Sequence, residues 1–112
     1  MHRVLVLIAA VSICGGALGM RQAYSEDTPP TRAEFTEGAQ LFSAICSHCH
    51  GPHMVNPGTV SFDLRKFPHD DATRFFNSVR NGKNSMPPWK DVLKPDEIEA
   101  IWAYVRTGGK EP

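Results

Sequence analysis

Two thiols and an imidazole fall within five residues in Cys46-Ser47-His48-Cys49-His50, a C-x-x-C-H run. That spacing suits covalent attachment of a haem. On a helix, residues three apart are neighbours on one face. Both thiols can then reach the two vinyl groups along one porphyrin edge and form thioethers, and the adjacent His50 can turn its imidazole under the ring toward iron. Iron that only exchanges electrons takes a second protein ligand, so that nothing else binds and little rearranges. A Met thioether in that position favours the ferrous state and raises the potential. Met54 follows His50 by four residues, too near to cross easily to the opposite ring face. Met86 lies 36 residues on, in a loop stiffened by Pro87-Pro88.

The same residues admit other chemistry. A redox-active dithiol needs CxxC between a strand and a helix, whereas here a helical pattern precedes the motif and Gly51-Pro52 follows it. A zinc site would use Cys46, Cys49 and two histidines, but no second CxxC exists, and adjacent Cys49-His50 suit one tetrahedral ion poorly. A plain disulfide would leave a thin core unexplained. His69 is the alternative second iron ligand, giving a bis-His haem of lower potential. If Met86 only fills the core, the iron site is open and the chain reads as a sensor or redox enzyme. His48 and His53 read as surface or hydrogen-bonding histidines.

These groups need elements to position them. Phe35, Ala39, Phe42 and Ile45-Cys46 recur at helical spacing and put the motif at the end of a first helix. Gly38 lies on that face, where it suits a second helix crossing closely. Residues 50–68 are punctuated by Gly51, Pro52, Pro57, Gly58 and Pro68 as loop. Ala72, Phe75, Phe76 and Val79 predict a second helix, begun at Asp70-Asp71 and closed by Gly82. The loop Lys83–Leu93 follows. Pro95, Asp96 and Glu97 open a last helix with the apolar stripe Ile98, Ile101, Trp102 and Val105, ended at Gly108-Gly109. No segment alternates as a strand. The fold class is all-α, three main helices with long loops. A loop of about 19 residues in so small a domain suits wrapping around something.

Composition narrows the function classes. The 112 residues allow one small domain, and 12 basic against 12 acidic residues exclude a strongly basic nucleic-acid binder. The total hides an uneven chain. Residues 1–25 carry no acid, and only Arg3 and Arg21 flank an uncharged apolar run, Val4 to Met20. They read as a secretory signal peptide cut before Glu26, with Ala17-Leu18-Gly19 as a second cleavage site and an uncleaved anchor as the alternative. A lipoprotein site at Cys14 is disfavoured by Ile13. Residues 26–33 are a polar lead-in and 34–112 the domain. Without the leader the chain has 10 basic and 12 acidic residues, net −2. Two thiols remain, and a core near the lower size limit that a cofactor would complete.

Gly38-x-x-Leu41-Phe42 ahead of CSHCHG, then Gly82-Lys83-Asn84-Ser85-Met86-Pro87, then a closing helix with Trp102 and Tyr104, resemble the class I c-type cytochromes over about residues 34–107. The resemblance implies a cytochrome c-like fold around one haem c, attached through Cys46 and Cys49. It implies His50 as proximal and Met86 as distal iron ligand. It also implies a loop proline whose carbonyl accepts a hydrogen bond from the proximal imidazole, and Pro57 suits that role. Trp89 suits the haem edge or a propionate, as do Arg65 and Lys66. The implied function is a monomeric, periplasmic one-electron shuttle that makes no substrate bond and is not an enzyme. Its partners are redox proteins docking at the haem edge, with Lys83, Lys90 and Lys94 steering an acidic surface. The segments CSHCHGPHMVNPGT and NSMPPW resemble cytochromes serving quinoprotein alcohol dehydrogenases. That suggests such a donor, with a terminal oxidase or another cytochrome as acceptor.

Overall fold

The computed structural model describes residues 27–58 and 60–112. The expected signal peptide, its cleavage site and Cys14 lie outside the described residues. Helix α1 spans Arg32–Leu41, starting inside the expected lead-in. Thr31 and Glu34 set its start as a reciprocal capping box: Glu34 N–H donates to Thr31 Oγ1 at 3.2 Å, and Thr31 N–H donates to Glu34 Oε2 at 2.7 Å.

The chain does not leave the helix at Leu41. A π-helical turn, Phe42–Cys46, follows, in which Ser47 N–H bonds the Phe42 carbonyl five residues back. Helix α2, Ser47–His50, completes one rod from residue 32 to 50. Gly51 ends it at φ +83°, where the chain folds so sharply that a Cβ would lie 1.8 Å from the Val55 carbonyl oxygen. Only glycine fits that turn.

Short 3₁₀ turns at Pro52–Met54 and Leu64–Lys66 order the connecting loop. Helix α3 is Ala72–Asn81, capped by Asp71, whose carboxylate accepts from Arg74 N–H at 3.1 Å. Helix α4 is Pro95–Arg106, begun by Pro95 and closed by a left-handed Gly108 and Gly109. Among the described residues there is no strand, only the isolated bridge between Lys83 and Met86. The all-α expectation holds, as do the bounds of the second and last helices.

The core sits where α1 crosses α4. At the crossing, a Cβ on Gly38 would stand 1.8 Å from the Ala100 carbonyl oxygen and 3.1 Å from Tyr104 Cβ. The missing side chain lets the two backbones touch. On either side, Phe35 and Phe42 pack their rings on Tyr104 at 5.4 and 5.1 Å. A second aromatic group joins α3 to α4: Phe75 lies 4.9 Å and Phe67 6.0 Å from Trp102, centroid to centroid. The Trp102 indole N–H is buried with no hydrogen-bond partner among the described residues. Among the described residues, no helix is long and apolar enough to cross a membrane.

Candidate haem site

The rod from residue 32 to 50 carries the thiols and imidazole on its last turns, and α4 holds the other end of that rod in place. Cys46 and Cys49 are not joined in a disulfide. Burial, and next the charge of nearby Cys49, push the Cys46 thiol up to about 11. Cys46 is therefore a neutral, poorly nucleophilic thiol at neutral pH, unlike the thiolate a dithiol oxidoreductase uses.

His50 is half-buried at the rod's end. Its Nδ1 lies 3.0 Å from the Phe62 carbonyl oxygen. A carbonyl only accepts, so Nδ1 carries the proton and Nε2 keeps its lone pair for a metal. This is the arrangement a proximal ligand needs. The expected acceptor, Pro57, is corrected: the carbonyl that meets the imidazole belongs to Phe62, twelve residues after His50. Pro57 instead packs by the Gly51 turn, its Cδ 3.1 Å from where a Gly51 Cβ would stand.

Met86 is half-buried on the tight turn that follows α3. Met86 N–H donates to the Lys83 carbonyl at 2.9 Å, and Lys83 N–H donates to the Met86 carbonyl at 3.0 Å. Both bonds fix the backbone from which the thioether projects. Met54, the other methionine of the described residues, is fully buried. Its Cε reaches toward Gly109 and so packs at the far end of α4. Trp89 is half-buried against the core, and its backbone N–H donates to the Val79 carbonyl at 2.9 Å, tying the loop to α3.

The remaining histidines stand apart. His69 Nδ1 bonds the Arg106 carbonyl at the end of α4, and His48 Nε2 lies 3.1 Å from the Ala44 carbonyl on its own helix. His53 is exposed in a left-handed turn. Arg65 donates two bonds to Asp63, at 2.9 Å each, so its guanidinium is engaged locally. That pairing holds the Asp63 carboxyl below its usual range.

The donor set fits a haem. The thiols are one turn apart and unbridged, the imidazole is oriented with Nε2 free, and a Met stands on a separate rigid loop. Among the described residues no group of three or more His, Cys, Asp or Glu side chains converges on a bare metal ion. Sequence reasoning missed Phe62, because a backbone carbonyl leaves no mark on residue type. The only hint was the general need of a ligating imidazole for an acceptor.

Comparison with known proteins agrees with this geometry. Residues 33–105 match a family described as cytochrome C oxidase, cbb3-type, subunit III. The chain is 37% identical over 86 residues to cytochrome c6 of Nostoc sp. (strain PCC 7120), covering 73% of this chain and 78% of that protein. It is 42% identical over 77 residues to cytochrome c6 of Anabaena variabilis, covering 65% and 90%. It is also 33% identical over 85 residues to the quinohemoprotein alcohol dehydrogenase ADH-IIG of Pseudomonas putida, covering 74% of this chain and 11% of that protein. With this motif on this helical frame, the chain belongs to the class I c-type cytochromes, small electron-transfer proteins carrying one covalently bound haem c.

Proposed function

We propose that the protein is an exported one-electron shuttle whose haem is bound through Cys46 and Cys49 and ligated by His50 and Met86. The observation that carries this reading is the His50 Nδ1–H bond to the Phe62 carbonyl, which leaves Nε2 directed to coordination. When bound, the haem supplies the Fe(III)/Fe(II) couple. The two thiols fix its edge to the helical rod. The Lys83–Met86 hydrogen bonds hold the thioether's backbone and limit rearrangement between redox states. The protein makes and breaks no substrate bond, so it acts as a carrier and not as an enzyme.

A quinoprotein dehydrogenase is the proposed donor. The likeness to a segment of a quinohemoprotein alcohol dehydrogenase supports that direction, and a terminal oxidase or another cytochrome is the acceptor. Lys83, Lys90 and Lys94 are exposed around the Met86 loop. They steer an acidic partner, an effect that raises association rate and falls with salt. The leader directs export, the compartment where thioether attachment is made.

The test is optical spectroscopy of the matured protein. A far-red thioether–iron charge-transfer band, present in wild type and lost in Met86→Ala, supports Met86. Absence of the band in wild type refutes it. Haem that washes out in denaturant refutes covalent attachment.

A further inference from the structure

The acceptor of the His50 bond lies on an exposed loop. Phe62 is 47% exposed and Val60 is 97% exposed, so burial alone does not fix this stretch. Its internal bonds run from Asn56, with Nδ2 donating to the Ser61 carbonyl at 2.5 Å and Oδ1 accepting from Gly58 N–H at 2.9 Å. These bonds shape the loop from within.

The fastening comes from α3. The Arg74 guanidinium carbon stands 5.5 Å from the Phe62 ring centroid and 4.9 Å from that of Phe67. The two rings meet edge to face at 6.2 Å. Phe67 belongs to the core and touches Trp102. Arg74 sits in the first turn of α3, its own N–H held by Asp71. A cation over an aromatic face is attracted by the ring quadrupole. Here one cation bridges a core ring and a loop ring.

We propose that Arg74 is a positioning residue for His50: by clamping Phe62 to Phe67 it holds the Phe62 carbonyl against the imidazole Nδ1. This rests on His50 being the iron ligand. A firm Nδ1–H···O bond makes the imidazole a better electron donor and stabilises the ferric state. Loosening the clamp exposes the Nδ1 proton to solvent and moves the potential upward.

The experiment uses matured, haem-bearing protein. NMR follows exchange of the His50 Nδ1 proton in the ferrous state, and spectroelectrochemistry gives the midpoint potential. Arg74→Met keeps the alkyl length and removes the cation, and exchange is expected to rise about fivefold, the scale of one such interaction. Phe62→Leu keeps the carbonyl and every charge, so its exchange rises and its potential shifts upward with no Coulombic contribution. Arg74→Lys lies between wild type and Arg74→Met. Arg80→Met is the control: Arg80 stands 5.0 Å over Phe76 on the same helix, two ring contacts away from Phe67 and not on Phe62, so its exchange stays near the wild-type rate.

Wild-type exchange in both Arg74→Met and Phe62→Leu overturns the proposal. Equal acceleration in Arg80→Met also overturns it, because the opening would then be global. Failure of the underlying ligand assignment is separately visible: His50 ring protons without a paramagnetic shift in ferric wild type refute the assignment and the proposal together.

Discussion

Substituting Gly38 by Ala tests the helix crossing that carries the haem motif. The new Cβ would lie 1.8 Å from Ala100 O and 2.6 Å from Ala100 C, where ordinary contact begins at 3.4 Å. Both atoms are backbone, so no rotamer change relieves the overlap. The helices must part by more than an ångström, or α1 must shift along α4. Overpacking of this kind costs roughly 1–3 kcal/mol, and so severe an overlap belongs at the upper end. Parting the helices also weakens the Phe35 and Phe42 contacts with Tyr104, since a gap of about 1 Å forfeits up to roughly half of a dispersion well. Against this, Ala gains about 1 kcal/mol of helix propensity over Gly. The net expectation is a loss of about 2 kcal/mol, or a fall in Tm of roughly 8–16 °C for a domain this size. Thermal unfolding of the matured protein, followed by far-UV circular dichroism, measures it. A Tm at or above wild type would mean that propensity alone governs the site, refuting the close crossing.

Other predictions come from single features. Thr31→Ala removes one half of the capping box and should cost about 1 kcal/mol in guanidinium unfolding, with the spectrum of the haem unchanged. Met54→Ala empties a fully buried position and should cost about 2–5 kcal/mol, yet the far-red band should persist, because Met54 packs toward Gly109 and Met86 is the proposed ligand. Burial raises the Tyr104 phenol above its ordinary value. The folded form therefore retains its proton longer than the unfolded chain does, so this contribution to stability is complete below pH 10 and is lost as pH rises above it. Tyr104→Phe should flatten that alkaline decline in unfolding experiments, and ring-proton NMR should show Tyr104 titrating above pH 10.

Apolar spacing and punctuation made the helices legible. Asp71 and Gly82 bracket the second helix, and Pro95 opens the last one where the residue types suggest. Gly38 was readable as a crossing point because a glycine inside an apolar stripe has few other uses. Three features were not readable, each for a physical reason. The π turn at Phe42–Cys46 leaves the apolar spacing nearly intact, so the pattern reads as an ordinary helix. The acceptor for His50 is a carbonyl, and its identity depends on how the loop returns, not on which side chain it bears. Proline is over-weighted there because its rigidity is visible in sequence, whereas the position of Phe62 is set by contacts with Arg74 and Phe67. His69 carries donor chemistry equal to that of any other histidine, and only the fold directs it to the end of α4.

The π turn also constrains how this sequence can vary. It runs from just after the Gly38 crossing into Cys46, the first residue of the haem motif, within one uninterrupted rod. A π turn closes its bonds over five residues where an α turn uses four, so removing one residue from it would let it close as an ordinary α turn with the helix on either side nearly in phase. The thiols and imidazole would then keep their side of the domain, whereas a deletion from the α-helical part of the rod would turn them by about 100°, the angle per residue at 3.6 residues per turn. Ser43 and Ala44 are exposed, so their side chains can be exchanged at little cost. Across related chains, substitutions should collect at Ser43 and Ala44, and a one-residue change in the rod's length should fall in this turn and not in the helix before it: the turn is the slack between the helix pair and the haem.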